Sequence, residues 1–416
     1  MKQYLIFCQV CFWATIIVFS AACNPILETK SFPQEYQLTS ERFSLGYIVQ
    51  PRGMELKNGF LVFCGIPMLI HSTSNYSFVH SFGDKGQTDA IQLPQIVRSS
   101  SQFLYIMDVI NKNVIRKYEI DSLGEPVLLQ SGFTGITNSM NRAYMLRDSL
   151  ILFDEFIPEA SLKIHNLYTN SEAFALPYGT TSFEDRFFDK NMGGLYANDT
   201  CIAFVYKYQD RIDFYDWQFN LKHSINHQQS EPKINPLDNR ENISYYGNSY
   251  MGRNYFYTLY RGVSHKVFCS DSLLVFKEWG IYTYGLTRDV LEVYDLDGQP
   301  VCRYFFNDIA PSVFVVDEEQ NKLLGHRAAY PSSLLVYQLQ GLPMNGQKYS
   351  KTRELPFSTL PTVEEPDTPT EGVYYSYMKF WDDDAPVYYI QYAGMNGKFA
   401  LVTEAGRAST EPTKQK

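Results

Sequence analysis

The sequence predicts an all-β protein, a six-bladed β-propeller of four-stranded blades with a small C-terminal β extension. Three observations predict it. A strand-like motif ending in Tyr or His recurs six times along the chain. It recurs at the 40–50-residue spacing of a propeller blade. The composition is that of a large β core. Of 416 residues, 45% are hydrophobic and 16% aromatic, which is apolar material enough for a core of this size. Tyr and Phe dominate the aromatic share, and both favour strands.

The motif is clearest at Leu291-Glu-Val-Tyr294-Asp-Leu-Asp297-Gly298, which continues through Gln-Pro-Val-Cys302-Arg-Tyr304. Leu291, Val293, Cys302 and Tyr304 alternate with polar neighbours, the period of a half-buried strand. Asp297-Gly298 stands at the joint. A type I′ hairpin turn there needs the positive φ that glycine adopts freely. Taking His71, Tyr118, His165, Tyr215, Tyr294 and Tyr337 as markers, the copies fall 47, 47, 50, 79 and 43 residues apart. The long gap marks an insertion at 262–287 in blade five, with its own apolar run at 272–276. An apolar strand precedes most copies, at 60–63, 103–106, 150–153, 202–205 and 323–324. Another extended run follows most of them, at 76–82, 126–131, 172–177, 220–225 and 301–306. A blade buries its faces only against its neighbours, so six copies must close into a ring.

Taken in order, residues 1–22 form a targeting segment. Lys2 supplies its positive start, and 4–20 is apolar but too short and flank-poor for a membrane span. Phe19-Ser-Ala-Ala-Cys23 resembles a bacterial lipobox, with Ser20 where the pattern usually has Leu. The resemblance implies cleavage before Cys23 and its acylation, and a triacylated cysteine exceeds the two-signal requirement for stable anchoring. Asn24 is not the Asp of an inner-membrane retention signal. The address implied is therefore the outer membrane of a Gram-negative bacterium, on either face. Residues 23–43 read as a polar tether. Residues 44–49 read as a strand that completes the blade containing 334–339, so that no edge stays open at the closure. The propeller is placed at 44–340.

His80-Ser-Phe-Gly83-Asp-Lys-Gly86 closes the first blade. Here the chain resembles a family of bacterial lipoproteins with TolB-like six-bladed propellers, which carry Phe-Gly-x-x-Gly at this point. Phe82, Gly83 and Gly86 match the motif, while 87–90 replace its usual continuation. The resemblance covers roughly 46–340 and implies a fold and an address, with little function attached. Beyond it, 341–372 is a Pro-rich linker. Tyr-rich strands at 373–380, 387–392 and 399–403 make a β extension at 373–404, expected to pack on the propeller. Residues 405–416 read as a mobile tail.

The formal charge is −9 with no basic stripe, which argues against a nucleic-acid partner. Cys8 and Cys11 lie in the apolar signal. Cys64, Cys201, Cys269 and Cys302 are too widely spaced for a zinc finger, and Cys64, Cys201 and Cys302 read as small buried apolar residues. Asp295-Leu-Asp-Gly298 and Trp381-Asp-Asp-Asp384 read as turns, because a full calcium loop needs further oxygens. His223 and His227 would pair as ligands only on a helix, and this stretch reads as a strand. His71 and His165 read as packing residues. Asp121, Asp148 and Asp271 each begin an Asp-Ser-Leu, a turn-favouring tripeptide that also resembles an O-glycosylation acceptor. No catalytic, cofactor or metal motif stands in a workable context.

The remaining lead is aromatic. Tyr208, Tyr245, Tyr246, Tyr250 and Tyr260 cluster in what read as exposed loops of blades four and five, with Trp217 and Trp279 nearby. Such faces suit sugars and protein partners. The expected function is a non-enzymatic binding or scaffolding module, anchored through Cys23, with an envelope protein or glycan as partner. The alternatives are a lyase or hydrolase acting on a glycan in the central funnel, and a periplasmic solute sensor. Convergence of three or more His, Asp, Glu or Arg on the funnel mouth is what separates the enzyme reading from the binding module.

Overall fold

Each repeat of the sequence is one antiparallel sheet, and its Tyr/His marker lies on the third strand. A computed structural model describes residues 31–46, 49, 51–84, 91–108, 114–134, 136, 140–155, 161–177, 190–227, 231–235, 241–264, 274–276, 281–283, 289–308, 310–327, 330–342, 389–392 and 399–402. Two short strands come first, β1 (Glu35–Leu38) and β2 (Glu41–Ser44). Blade one is β3 (Gly53–Lys57), β4 (Phe60–Cys64), β5 (Met68–Ser72) and β6 (Phe78–Phe82). Blade two is β7 (Pro94–Val97), β8 (Leu104–Asp108), β9 (Val114–Ile120) and β10 (Pro126–Phe133). Blade three is β11 (Met140–Leu146), β12 (Leu150–Glu155), β13 (Ser161–Asn166) and β14 (Ser171–Pro177). Blade four is β15 (Gly193–Ala197), β16 (Ile202–Tyr206), β17 (Arg211–Tyr215) and β18 (Leu221–Asn226).

Blade five takes β19 (Ile243–Met251) and β20 (Tyr255–Ser264). The insertion then contributes a small separate sheet, β21 (Leu274–Phe276) with β22 (Ile281–Thr283), before the blade resumes with β23 (Val290–Asp295) and β24 (Pro300–Phe306). Blade six is β25 (Val313–Asp317), β26 (Lys322–His326), β27 (Ser333–Gln338) and, as its fourth strand, the N-terminal β2. The first strands β3, β7, β11, β15, β19 and β25 meet in succession around the axis, and β25 returns to β3. The chain is a six-bladed β-propeller.

The core is divided among the blade junctions. One apolar cluster lies between each successive pair, from blades one and two round to six and one. Leu104 and Ile106 face blade one while their strand neighbours Tyr105 and Met107 face blade three. This is why the second strands read as unbroken apolar runs: successive side chains point to opposite faces, and here each face meets a neighbouring blade.

The N-terminal arm corrects the expected tether of 23–43. From Phe32 onward it is docked. β1 pairs in parallel with β24, Glu35 opposite Arg303 and Leu38 opposite Phe306, so blade five has five strands. Tyr36 stacks on Tyr304 at 5.5 Å and Phe32 meets Tyr294 edge-on at 5.5 Å. Ser40 then donates its amide and hydroxyl to Asp308, and β2 pairs antiparallel with β27 from Glu41–Val336 to Ser44–Ser333. The N-terminal segment thus completes the expected blade, but with 41–44 in place of 44–49. Past Ser44 the ladder gives way to single bonds from the Leu45 and Val49 amides to Ser332 and Pro331.

The hairpin turn also differs from expectation. A type I′ turn needs two residues at positive φ, and in Asp295–Gly298 only Gly298 has it, at 82°. The Asp295 carboxylate accepts the amides of Asp297 and Gln299 at 3.0 and 2.8 Å, and the register steps between Val293 and Tyr294. The side-chain oxygen thus selects a longer turn with a glycine bulge. Asp121 and Asp216 cap the same turn in blades two and four. Gly298→Ala is expected to cost about 2 kcal/mol or more, from left-handed strain plus a Cβ that would strike the His223 ring. Gly59→Ala has the same sign of φ with open space around it, so it should cost only the strain, about 1 kcal/mol. Urea denaturation of the two variants separates the terms.

Two of the three expected C-terminal strands are present, β28 (Tyr389–Tyr392) paired with β29 (Phe399–Val402). The third, at 373–380, lies outside the described residues, as do Cys23, Cys269, Asp271, Trp279 and 381–384.

Candidate functional site

The five tyrosines do not form an exposed platform. Tyr245, Tyr246, Tyr250 and Tyr260 lie on β19 and β20, not in loops. Tyr208, Tyr246 and Tyr260 are buried. Tyr246 and Tyr260 of blade five donate to the Asp210 carboxylate of blade four at 2.8 and 3.4 Å. Burial, helped by that carboxylate, holds both phenols well above the usual tyrosine range. They pin one blade to the next. Tyr245 is half-buried and donates its amide to Lys207. Tyr250 alone of the five reaches the propeller axis, where the Arg98 guanidinium lies 4.6 Å from its ring centroid. Trp217 packs on the junction of blades three and four and donates Nε1 to the Asn198 carbonyl.

The other candidates resolve into structural roles. His71 is buried beside Phe63 and Phe78, with Nδ1 2.9 Å from the Tyr76 carbonyl. His165 bonds Asn170. His223 lies on β18 and His227 just beyond its end, so the rise of an extended chain holds them about 13 Å apart. Cys64, Cys201 and Cys302 are buried free thiols. Burial pushes Cys64 up to about 12 and the other two to about 11, so they stay protonated and unreactive. Asp148 is buried in an ion pair with Lys117 at 2.7 Å and accepts the Tyr105 hydroxyl. Among the described residues no group of three or more His, Cys, Asp or Glu is placed to hold a metal.

The sequence reading missed the axis. Glu55 on β3, Arg98 just past β7, Arg142 on β11, Tyr196 on β15, Asn248 on β19 and Ser312 before β25 come from six different blades. Blades two and five are opposite in a six-membered ring, so the Arg98–Tyr250 contact crosses the axis. Glu55 Oε2 is 3.7 Å from Arg98 Nε. Arg142 lies 4.2 Å over the Tyr196 ring and donates Nη2 to Asn248 Oδ1 at 3.5 Å. Asn248 in turn donates to the Ser312 carbonyl. Below them Lys57 donates to the Ser99 and Ser101 carbonyls at 2.6 and 2.9 Å. Its burial pushes the ammonium pKa down, opposed in part by Glu55. Three cations thus face two carboxylates, Glu55 and, near Lys57, Asp199. Guanidinium does not give up its proton in proteins, so the arrangement recognises charge better than it transfers protons.

The rim is uneven. The arm covers the outer edge of blade five and supplies that of blade six, whereas β6, β10, β14 and β18 end their sheets. The apolar side chains concentrate on blade two. Leu123 at its turn and Val127, Leu128 and Leu129 on β10 are all exposed. Three consecutive residues are exposed because the register steps by one at Leu129.

No protein-family model matches the chain. No curated protein matches it either. Among solved structures, the crystal structure of BamB from Moraxella catarrhalis is similar at a TM-score of 0.34 and 10% identity, over 70% of this chain and 83% of that one.

Proposed function

We propose that the chain is an outer-membrane lipoprotein whose propeller binds a partner protein and catalyses no reaction. Residues 1–22 direct export and are removed, acylated Cys23 holds the protein to the membrane, and 341–372 links the propeller to the C-terminal strands. The observation that carries the binding role is the open edge of blade two. An exposed apolar strand edge is a liability that a chain ordinarily blunts or covers. This chain covers such an edge on blade five by adding β1 to β24. The partner offers β10 the equivalent, an extended segment added as a strand, with backbone bonds for affinity and apolar side chains for specificity. Glu119, Asp121 and Glu125 stand at the turn end of this edge, so the segment carries Lys or Arg beside its apolar residues.

A photo-crosslinking residue placed in cells at Leu128, or in a control at Leu221 on the exposed edge of blade four, tests this. A discrete protein adduct is expected at Leu128 alone, and Val127→Asp should abolish it. The purified partner should then slow hydrogen exchange of the β10 amides. Equal adducts at both positions, or none, would defeat the proposal. The lipid anchor is read separately, as fatty-acid labelling that disappears in Cys23→Ser.

A further inference from the structure

We infer that the propeller axis is a binding site for an oxyanion, the carboxylate or phosphate of a small ligand, gripped by Arg98 and Arg142. This site lies apart from the blade-two edge and does not depend on it. Its first ground is charge. The protein is acidic overall, at −9, yet Lys57, Arg98 and Arg142 outnumber Glu55 and Asp199 around the axis. A cleft of one sign in a surface of the other focuses the field on incoming anions.

The second ground is unmet hydrogen bonding. Arg98 carries five N–H donors. Its hydrogen bond within the protein is a long one, from Nη2 to the Met54 carbonyl at 3.4 Å. Among the described residues Nη1, itself shut off from solvent, has no hydrogen-bond partner, and Nε meets Glu55 only at 3.7 Å. Among the described residues Glu55 Oε2 likewise accepts no hydrogen bond. The pair is held together by charge and leaves a planar fork unfilled, the geometry that matches a carboxylate or phosphate.

The third ground is placement. Arg98 and Arg142 reach the same strand, β19, at Tyr250 and Asn248, two residues apart. Asn248 lies within a register step of β19, between Tyr246 and Ser249, so the two guanidiniums converge on one short stretch of that strand. Each is steadied by an aromatic ring, Tyr250 or Tyr196, which lowers the ordering cost of binding. The Arg98 side chain is 25% exposed and Arg142, Asn248 and Tyr250 are half-buried, so solvent reaches the edge of the site, and an anion meets the covered Nη1 as the guanidinium turns outward.

The test is calorimetry on the full chain with three probes in separate arms: inorganic phosphate, glucuronate and glucose 6-phosphate. They distinguish a free anion from a sugar-borne carboxylate or phosphate. At least one should bind with single-site stoichiometry, more weakly at high salt. Arg142→Gln and Arg98→Gln should each weaken it roughly tenfold or more, the loss of a charge-assisted pair. Lys222→Gln, at an exposed lysine on the blade-four rim, should leave it unchanged. Arg98→Lys keeps the charge and loses the fork, so it should bind with intermediate affinity, and it covers the case in which Arg98→Gln fails to fold. Binding of none of the three probes, or binding to Arg142→Gln and Arg98→Lys as tight as to the natural protein, would overturn the inference.

Discussion

Replacing Arg303 with methionine is expected to destabilise the propeller by about 3–5 kcal/mol. Arg303 on β24 stands directly across from Glu292 on β23, with Nη2 donating to Glu292 Oε1 at 3.1 Å. Neither residue is more than 3% exposed. Tyr294 donates its hydroxyl to the other Glu292 oxygen at 2.8 Å. A neutral side chain at 303 leaves the Glu292 carboxylate in the interior without this cation, and an uncompensated buried charge is expensive. The same guanidinium lies 4.4 Å over the Phe32 ring and 3.6 Å from Glu35. The variant should therefore also loosen the arm, visible as faster proteolysis near Phe32. Arg303→Met combined with Glu292→Leu should recover most of the loss, because a buried ion pair and an apolar pair of similar volume are often of comparable stability. Urea denaturation of the single and double variants checks both statements. A single variant within 1 kcal/mol of the natural protein would contradict this account.

The second large effect is acid lability centred on His326. This residue sits on β26 and is 2% exposed. Burial pushes its pKa down to about 4, against about 6.5 in an unfolded chain. Between those values the unfolded chain binds a proton that the folded one refuses, so stability rises with pH across this window and is lost as pH falls through it. The contribution is complete above about pH 6.5, and about 3 kcal/mol of it is lost by pH 4. Burial shifts His71 and His165 in the same direction, and their contributions carry the same sign. Urea midpoints measured from pH 7.5 to 4.5, for the natural protein and His326→Gln, isolate the residue, since carboxylate titrations are common to both. Parallel pH profiles would show that His326 is not the source.

The strands that were legible are the second, third and fourth of most blades, and the reason is their surroundings. Leu104–Asp108 and Phe60–Cys64 are apolar throughout because blades press on both faces. The third strands end in a Tyr or His that fills a blade junction, as Tyr118 and Tyr337 do. The first strands carry no comparable signal. Met54-Glu-Leu-Lys57 mixes core residues with axial charges, and Gly193-Gly-Leu-Tyr196 carries two glycines. At Gly193 a Cβ would collide with the Val205 carbonyl. Neither pattern alternates cleanly, since the inner strand faces two blades and the axis at once. Glu55, Arg98, Arg142 and Asn248 went unread for that reason. Each is alone in its own stretch of sequence, and only ring closure assembles them. The Tyr-rich β19 and β20 failed differently: their tyrosines suggested exposed rings, whereas the ladder between them buries Tyr246 and Tyr260. β1 was missed because Tyr36 and Leu38 are too few to set a period, and because a parallel partner far along the chain leaves no local trace.

The docked arm sets how freely the protein can swing. With Phe32 seated on Tyr294, only residues 24–31 separate the proposed lipid attachment at Cys23 from the rigid disc. Fully extended, that span reaches about 30 Å. With the proposed lipid in place, a bead on so short a string would stay within that reach of its bilayer. Blade five would then be its hinge side. Blade two, opposite in the ring, would be the side that points away from the proposed anchor.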